Sequence, residues 1–473
     1  MKRFTVEDAV KATGGEYFGS DEAKKTELMG VERDSRVIKE GWVFIAICGE
    51  TNDGHDFIDD VFEKGAALVV SEKKLDNPKG AYVLVEDSVR ALQLIAREYR
   101  KTLQASGTKI IGVTGSVGKT STKEMLFAVL SAGFKASKTE GNYNNGIGVP
   151  LTLCAIDPDV QTAVVEMGIN HYGEMDVLGD IVSPDIMLFT NIGESHIGNF
   201  GSREGILKGK TEVLNHMRDD ALVVINGDDD QLIKLLNTCD KKIYRFSLND
   251  ESADVYVSDI EEKGIYGSDI TLKTGDFTDT VHLPIPGIHM VKNAASAALV
   301  GTILKMDKES IFKGISSAQA QPGRGRIIRN NNFMIIDDTY NASPTAVKAS
   351  IDLLLTSNER KVAILGDMFE LGDEEKRLHY ETGFYAGKKR PDVIIAIGNL
   401  SKDIAEGAKY ALKTTKVPEG EEEKEVIVKW FEDKESFMDK SDEYIKKGDA
   451  VLLKASHGMH FEKLLEFIQE KDF

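Results

Sequence analysis

Short, continuous apolar runs alternate with amphipathic stretches along most of the chain. The runs are rich in Val, Ile and Leu, and they lie at residues 42–47, 66–71, 110–115, 162–168, 185–191, 221–226, 333–338, 361–367, 392–398 and 450–456. Runs of this length and composition are typical of strands that are buried on both faces. Helical patterns between them indicate parallel sheets covered by helices. The sequence therefore predicts an α/β protein.

Two polar stretches divide this alternation into three blocks. Residues 97–109 end the first block as a polar helix and linker, and residues 316–326, with Pro and Gly, separate the second from the third. A length of 473 residues is enough for about three domains. We predict domains at 1–105, 106–320 and 321–473. Polar, glycine-containing strands between residues 241 and 286 predict a small antiparallel excursion within the middle domain.

The charge of the chain narrows the class of ligand. With 59 Lys and Arg against 78 Asp and Glu, the formal net charge is −19. Such a chain repels polyanions, so we expect neither broad nucleic-acid binding nor attraction to anionic membranes. A phosphate ligand would need a local cluster of cations or backbone N–H groups.

Cysteine usage and the N-terminus indicate the compartment. Cys48, Cys154 and Cys239 are far apart and odd in number, which fits a reducing compartment better than a disulfide framework. The N-terminal residues have no apolar core of a signal peptide, and no apolar run reaches the roughly 18 to 20 residues needed to span a membrane. We expect a cytoplasmic protein without membrane insertion.

Residues 110–125, "IIGVTGSVGKTSTKEM", nearly match the phosphate-binding pattern G-x-x-x-x-G-K-[ST]. Gly118, Lys119 and Thr120 fit, but Val113 stands where the first glycine belongs. The stretch predicts a strand, a glycine turn and a helix that begins near Lys119. Backbone N–H groups at such a corner favour an anion, a lysine adds charge, and a threonine hydroxyl suits magnesium. The alternative is an ordinary strand–helix corner with an exposed lysine.

Two further residues follow predicted strands at the same sheet edge. Glu166 ends one strand and His196 follows the next, so both are expected near Thr120. Magnesium needs several hard ligands, and together these residues favour a metal site. Alternatively, Glu166 caps a turn and His196 bonds to backbone. Lys208 and Lys210 on the next helix are either solvated or functional, and residues 141–153 are either a connection or a lip over the phosphates.

The motifs as a set resemble the Mur ligases of peptidoglycan synthesis. The resemblance rests on "GVTGSVGKTSTK", "GNYNNGIGVPLTL", "TNIGESHIGNFGS", "HMVKNAASAAL", "PGRGR", "DDTYNASP" and "LGDMFELG", and it covers essentially the whole chain. It implies three domains: an N-terminal UDP-substrate domain, a central P-loop ATPase domain with a parallel sheet, and a C-terminal Rossmann-like domain. Within the family, the last two motifs resemble the ligases that add D-alanyl-D-alanine to UDP-N-acetylmuramoyl-tripeptide through an acyl phosphate.

The resemblance also implies roles for residues of the central domain. The ATP-binding residues would be Thr114, Gly115, Ser116, Val117, Gly118, Lys119, Thr120, His289 and Asn293, joined by Arg324 and Asp338 from the C-terminal domain. Two magnesium ions are implied, one held by Thr120 and Glu166 and a second by His196. Lys210 would be the family's carbamylated lysine, which is anionic and so suited to a metal site. Lys119, Glu166, His196 and Lys210 would be the catalytic set.

Substrate residues are implied in all three predicted domains. The implied set is Ser35, Arg36, Asn145, Asn341, Asp367, Glu370 and Lys454. For Asp367 and Glu370, the alternative is a structural role at a strand–helix corner. The family often has Lys-Gly-Ser-Arg where this chain has Lys454-Ala455-Ser456-His457, and a histidine lacks the permanent charge of an arginine.

Two other functions compete with this interpretation. A folylpolyglutamate ligase shares the ATPase core, but the separate N-terminal domain and "DDTYNASP" argue against it. A nucleotide-gated binding protein would hydrolyse ATP without forming an amide. We expect a monomer.

Overall fold

The computed structural model describes residues 1–49, 52–193, 195, 197–369, 371–416 and 425–471. The chain forms two compact units. The first consists of Met1–Asp259, Ile270–Val281 and His289–Ser317, and the second of Ile260–Asp269, His282–Ile288 and Ala318–Phe473. Within the described residues the strands form three sheets, of five, nine and six strands.

The five-stranded sheet has the order β1-β5-β4-β3-β2, parallel except for the β1–β5 pair. Its strands are β1 (Glu16–Phe18), β2 (Gly30–Glu32), β3 (Trp42–Ile45), β4 (Leu68–Ser71) and β5 (Tyr82–Leu84). The accompanying helices are α1 (Val6–Thr13), α2 (Ile58–Glu63) and α3 (Ser88–Ala105). Thr5 and Asp8 form a capping box at α1, and the Asp87 side chain caps α3.

The nine-stranded sheet has the order β14-β13-β12-β11-β10-β9-β6-β8-β7. Its strands are β6 (Lys109–Thr114), β7 (Ala136–Lys138), β8 (Thr162–Glu166), β9 (Ile186–Phe189), β10 (Leu222–Asn226), β11 (Lys242–Ser247), β12 (Val255–Glu262), β13 (Ser268–Thr274) and β14 (Thr278–Leu283). The helices between and after them are α4 (Lys119–Ser131), α5 (Gly148–Ala155), α6 (Glu174–Val182), α7 (Ile197–Phe200), α8 (Arg203–Thr211), α9 (Ile288–Ile303) and α10 (Lys308–Ser317).

The six-stranded sheet has the order β15-β16-β20-β17-β18-β19, parallel except for the β15–β16 pair. Its strands are β15 (Arg326–Arg329), β16 (Met334–Asp338), β17 (Lys361–Gly366), β18 (Val393–Ile397), β19 (Ile427–Phe431) and β20 (Ala450–Lys454). The helices are α11 (Pro344–Leu355), α12 (Glu375–Lys389), α13 (Lys402–Thr414), α14 (Lys434–Met438) and α15 (Glu462–Gln469).

The α/β prediction is confirmed, and every apolar run named from the sequence contains a strand. The central strands β6, β8 and β9 are buried almost throughout, as strands packed between helices should be. The predicted antiparallel excursion after residue 241 is corrected in one respect. β11 pairs with β12 in parallel, and the strands of this region extend the nine-stranded sheet. The predicted domain boundaries at 105 and 320 stay predictions.

A buried ionic centre fixes α3 within the first unit. The Asp185 carboxylate, just before β9, accepts hydrogen bonds from the Arg100 guanidinium at 2.9 Å, the Arg218 guanidinium at 2.8 Å and the Ile110 backbone N–H at 2.8 Å. Arg100 and Asp185 are both buried. The helix that follows the first sheet is therefore tied to the strands that carry the candidate site. Among the described residues, no helix is long and apolar enough to cross a membrane.

Candidate active site

The strand–helix corner at Gly115–Gly118 has the form expected of a phosphate loop. Gly118 takes a left-handed conformation with φ of 83° and precedes α4, whose first turn receives no side-chain cap. The uncapped N–H groups at the start of α4 are therefore available to an anion. Gly115 has φ of 156°, and a Cβ there would overlap the Thr190 hydroxyl. Both positions require glycine, which explains the displaced glycine of the sequence pattern.

Residues after β9, which the sequence analysis missed, hold this loop. The Asn191 carbonyl and carboxamide oxygens accept hydrogen bonds from the backbone N–H groups of Ser116 and Val117, both at 3.0 Å. The Val117 carbonyl in turn accepts from the Thr190 hydroxyl and the Asn191 amide, both at 2.8 Å. The Lys119 ammonium donates to the Gly115 carbonyl at 3.0 Å. The Thr-Asn pair of "TNIG" thus shapes the loop from the neighbouring strand.

The structure brings Thr120 and Glu166 together. Glu166, the last residue of β8, is almost fully buried, and its Oε1 accepts hydrogen bonds from the Thr120 hydroxyl at 3.2 Å and the Asn144 amide at 2.9 Å. Its Oε2 is buried and receives no hydrogen bond from any described residue. A carboxylate whose second oxygen accepts no hydrogen bond from a described residue, beside a hydroxyl, provides hard oxygen ligands, so these residues fit a magnesium ion.

His196, the predicted ligand of a second ion, lies outside the described residues. Among the residues that are described, no group of three or more His, Cys, Asp or Glu side chains could hold a metal ion. The Thr120 hydroxyl, which contacts Glu166, and the oxygens of a bound phosphate are further donors suited to such an ion.

Lys210 differs sharply from its neighbour Lys208 on α8. Lys210 is 3% exposed, whereas Lys208 is on the exposed face of the helix. No hydrogen bond or ion pair from the described part of the chain reaches the Lys210 ammonium. Burial, together with the nearby charge of Lys119, lowers the pKa of Lys210 to about 7. The structure thus holds a lysine that is readily neutralised within reach of the loop lysine's charge.

Comparison with known proteins identifies the family of the chain. Family models match in three segments: "Mur ligase family, catalytic domain" at 27–100, "Mur ligase middle domain" at 113–301, and "Mur ligase, glutamate ligase domain" at 323–457. The UDP-N-acetylmuramoyl-tripeptide–D-alanyl-D-alanine ligase of Bacillus subtilis is 36% identical over 475 residues, covering 99% of each chain. The chain belongs to the Mur ligase family.

Solved Mur ligase structures agree over the whole chain. A MurF crystal structure from Acinetobacter baumannii aligns with a TM-score of 0.87 at 31% identity and covers 99% of both chains. MurF from Thermotoga maritima, solved in complex with ADP, aligns with a TM-score of 0.73 at 29% identity, over 95% of this chain and 98% of that one. The three-domain α/β architecture implied by the sequence is therefore confirmed.

In this Mur ligase, the loop at 141–147 lies over the Glu166 carboxylate. Asn144 reaches Glu166, while the Asn145 carboxamide accepts from the backbone N–H groups of Ile147 at 3.2 Å and Gly148 at 2.9 Å, at the start of α5. The predicted loop thus ends at residue 147, and the rest of the motif is helical. Both asparagines, with Lys119, line a cavity of about 550 Å³ that also includes Gln93 of α3.

The predicted adenine-side residues begin α9. Asn293 is buried, and its carboxamide oxygen accepts a hydrogen bond from the Thr122 hydroxyl at 2.9 Å. His289, one turn earlier, is exposed. The Thr122 contact fixes α9 against α4, the helix that begins at the phosphate loop.

In the second unit, Asp338, Asn341 and Lys454 come together at the carboxyl ends of β16 and β20. Asp338 Oδ2 accepts from Lys454 Nζ at 2.6 Å and from the Ser350 hydroxyl at 2.6 Å. Lys454 also donates to the Asn341 carbonyl at 3.0 Å. Arg324, also predicted to reach the nucleotide, stacks its guanidinium 3.9 Å from the Tyr340 ring centre.

Asp367 has a structural environment. It is buried, and its Oδ1 accepts from the backbone N–H and the hydroxyl of Ser401 at 2.7 and 2.6 Å. Its carbonyl accepts from the Ser456 N–H at 3.0 Å. These contacts favour the structural alternative for Asp367, at the strand–helix corner after β17. Glu370 lies outside the described residues.

Ser35 and Arg36, the substrate residues predicted in the N-terminal region, both have contacts within the protein. The Arg36 guanidinium forms a two-bond pair with the Asp34 carboxylate, at 2.9 and 2.6 Å, and its side chain is 86% exposed. Hydrogen bonds from Arg36 hold the pKa of Asp34 at about 2. The Ser35 carbonyl accepts from Lys64 Nζ at 2.7 Å. An anionic ligand would have to compete with Asp34 for the guanidinium.

Proposed function

We propose that this Mur ligase is an ATP-dependent carbon–nitrogen ligase that adds D-alanyl-D-alanine to UDP-N-acetylmuramoyl-tripeptide. The product is UDP-N-acetylmuramoyl-pentapeptide, and the reaction is the last cytoplasmic step of peptidoglycan precursor synthesis. The observation that carries the proposal is the full-length relationship to the Bacillus subtilis ligase of that name. We place the enzyme in the cytoplasm as a monomer with domains at 1–105, 106–320 and 321–473.

The chemistry follows from the low reactivity of a carboxylate toward amines. ATP transfers its terminal phosphoryl group to the terminal carboxylate of the tripeptide, and ADP leaves. The amine of D-alanyl-D-alanine then attacks the acyl phosphate and gives up a proton. The tetrahedral adduct then expels phosphate and leaves the amide. The N–H groups at the start of α4 and the Lys119 ammonium bind and orient the transferring phosphoryl group.

Two magnesium ions are part of the proposal. Thr120 and Glu166 would hold the first, which fits the unbonded Oε2 of Glu166 beside the phosphate loop. His196 and Lys210 would hold the second. Bound magnesium supplies positive charge that spreads the negative charge of the transferring phosphoryl group.

Lys210 is proposed to be carbamylated. Its side chain is buried without a partner from the described residues, and an unpaired ammonium there is unfavourable. Carbamylation converts the cation to an anionic, carboxylate-like group, which suits a metal site next to Lys119.

The remaining predicted roles complete the proposal. Asn293 and His289 flank the adenine, and Arg324 and Asp338 approach the nucleotide from the C-terminal domain. Substrate contacts are assigned to Ser35, Arg36, Asn145, Asn341, Glu370 and Lys454, whereas the buried Asp367 is assigned a structural role. The Lys454–Asp338 ion pair supports a shared role for those two residues, because each charge sets the position of the other.

The first experiment measures phosphate release from ATP and magnesium by the purified protein. UDP-N-acetylmuramoyl-tripeptide is added alone and then with D-alanyl-D-alanine, and the product is identified by mass. We expect release to require both substrates, with one pentapeptide formed per phosphate. Release that is indifferent to both would leave only an ATPase on this scaffold, whereas activity with folate and glutamate would favour the folylpolyglutamate alternative.

A pair of lysine variants then tests the site. Lys210→Ala is expected to lower kcat at least about a hundredfold, because a residue at the reacting phosphoryl group is lost. Lys208→Ala, two residues earlier on the exposed face of the same helix, is the matched control and should keep near-normal activity. Equal losses in both variants would contradict the assignment of Lys210.

A further inference from the structure

A second lysine of α4 lies buried beside the metal-site carboxylate. Lys123, one turn after Lys119, is 1% exposed. Its Nζ lies 3.5 Å from Glu166 Oε2 and 3.4 Å from Glu124 Oε1, and it donates a hydrogen bond to the Gly141 carbonyl at 3.2 Å. A buried ammonium is tolerated only with such partners, so these contacts fix its position.

Of the two carboxylates, Glu166 depends on Lys123 more than Glu124 does. Glu124 also forms an ion pair with Lys138 through its other oxygen. Glu166 has its Oε1 engaged by Thr120 and Asn144, while Oε2 has no hydrogen bond from the described residues and faces Lys123 at 3.5 Å. The Lys123 ammonium therefore lies beside Glu166 Oε2, the oxygen that a divalent cation would bind.

The local charge balance determines when a cation can bind. Without nucleotide, a divalent cation at Glu166 meets one carboxylate that is already paired with an ammonium, and the Lys119 charge lies at the phosphate loop one turn away. A nucleotide brings several negative charges to that loop, so the net local charge becomes negative and favours binding of a divalent cation.

We propose that Lys123 is a positioning residue that keeps Glu166 paired while nucleotide is absent, so that a divalent cation binds this carboxylate only together with nucleotide phosphates. The inference rests on the proposed function through the assignment of Glu166 as a metal ligand. It explains why a lysine is buried at a carboxylate whose second oxygen is otherwise unbonded. It also makes Lys123 a determinant of binding order.

The test uses Mn²⁺ alone as the probe, with binding measured by electron paramagnetic resonance on nucleotide-free protein and again with ADP. The wild type is expected to bind Mn²⁺ weakly without ADP and much more tightly with it. Lys123→Met should tighten nucleotide-free binding by about tenfold or more, because a nearby positive charge is removed. Lys123→Arg keeps the charge and should behave like the wild type.

Three outcomes would overturn the inference. The first is equal nucleotide-free Mn²⁺ affinity in Lys123→Met and the wild type. The second is tightening in Lys123→Arg as large as in Lys123→Met. The third is a wild type that binds Mn²⁺ equally well with and without ADP. This comparison tests the inference even if circular dichroism shows that Lys123→Met does not fold.

Glu166→Gln separates failure of this inference from failure of the proposed function. If Glu166→Gln leaves Mn²⁺ binding in the presence of ADP unchanged, Glu166 is not a metal ligand, and the inference falls with that assignment. If Glu166→Gln weakens binding with ADP but Lys123→Met leaves nucleotide-free binding unchanged, the metal assignment stands and only the role of Lys123 is wrong.

Discussion

Replacement of Gly115 by alanine tests whether close packing against Thr190 sets the shape of the phosphate loop. The new Cβ would overlap the Thr190 hydroxyl oxygen and lie 3.1 Å from the Thr190 Cβ. The hydroxyl would have to leave the Val117 carbonyl, which it contacts at 2.8 Å. Backbone and steric strain at such a position is on the order of 2 kcal/mol, and the lost hydrogen bond adds about 1 kcal/mol. Since 1.4 kcal/mol is about tenfold, ADP should bind roughly a hundredfold more weakly.

Thr190→Ala supplies the decisive comparison, because it removes the oxygen that the new Cβ meets. Alone, Thr190→Ala should weaken ADP binding modestly, since the Asn191 amide still donates to the Val117 carbonyl at 2.8 Å. In the double variant we expect part of the affinity to return, with a coupling free energy of at least about 1 kcal/mol by calorimetric titration. Gly107→Ala, at φ of 87° with open space, is the control for backbone strain alone and should leave ADP affinity unchanged. Strictly additive losses from Gly115→Ala and Thr190→Ala would refute the steric argument.

Stability and thiol chemistry provide further tests. Asp185→Asn should lower the free energy of unfolding by about 3 to 5 kcal/mol in urea, because the buried Arg100 loses its charge partner, whereas Asp180→Asn, in a partly exposed pair, should lower it by less than about 1 kcal/mol. Similar losses would show that burial of the pair is unimportant. Burial raises the pKa of the Cys154 thiol to about 12, so its stabilising contribution should be complete below its ordinary value of 9.0 and be lost as the pH rises toward 12. At pH 8 an aromatic disulfide reagent should modify exposed Cys48 in the native protein and Cys154 only after unfolding, and rapid native modification of Cys154 would contradict this.

Local patterns predicted the strands and the phosphate corner well. Val113 and its neighbours form an apolar run followed by glycines, and both the buried strand and the start of α4 at Lys119 follow from that pattern. Thr120 and Glu166 were placed together because parallel strands end at one sheet edge. The same reasoning did not find Lys123, because the apolar periodicity of a helix does not show which of its lysines is buried.

Long-range loop contacts were beyond the sequence pattern. "GNYNNG" contains neighbouring asparagines, and only the path of the loop decides that Asn144 reaches Glu166 while Asn145 caps α5. Asn191 is the last residue of the predicted run 185–191 and lies just after β9, and its pairing with Ser116 and Val117 depends on the β6–β9 register. The polar residues after 241 predict strands but not their direction, and the structure pairs β11 with β12 in parallel rather than in an antiparallel excursion.

The Arg100–Asp185 pair also bears on how the chain is made. The ribosome releases Arg100 well before Asp185, which is 85 residues later in the chain. Until residues 182–185 are synthesised, the Arg100 guanidinium lacks the Val182 and Ser183 carbonyls and the Asp185 carboxylate that accept its hydrogen bonds. Until Ile156 is synthesised, the Tyr99 hydroxyl lacks the carbonyl that it contacts at 2.7 Å. The N-terminal sheet therefore completes its packing only when the central strands have formed. A fragment that ends at residue 105 would contain the Arg100 charge without its partner and would expose an apolar face of α3. The first two sheets are therefore better expressed together in a single chain.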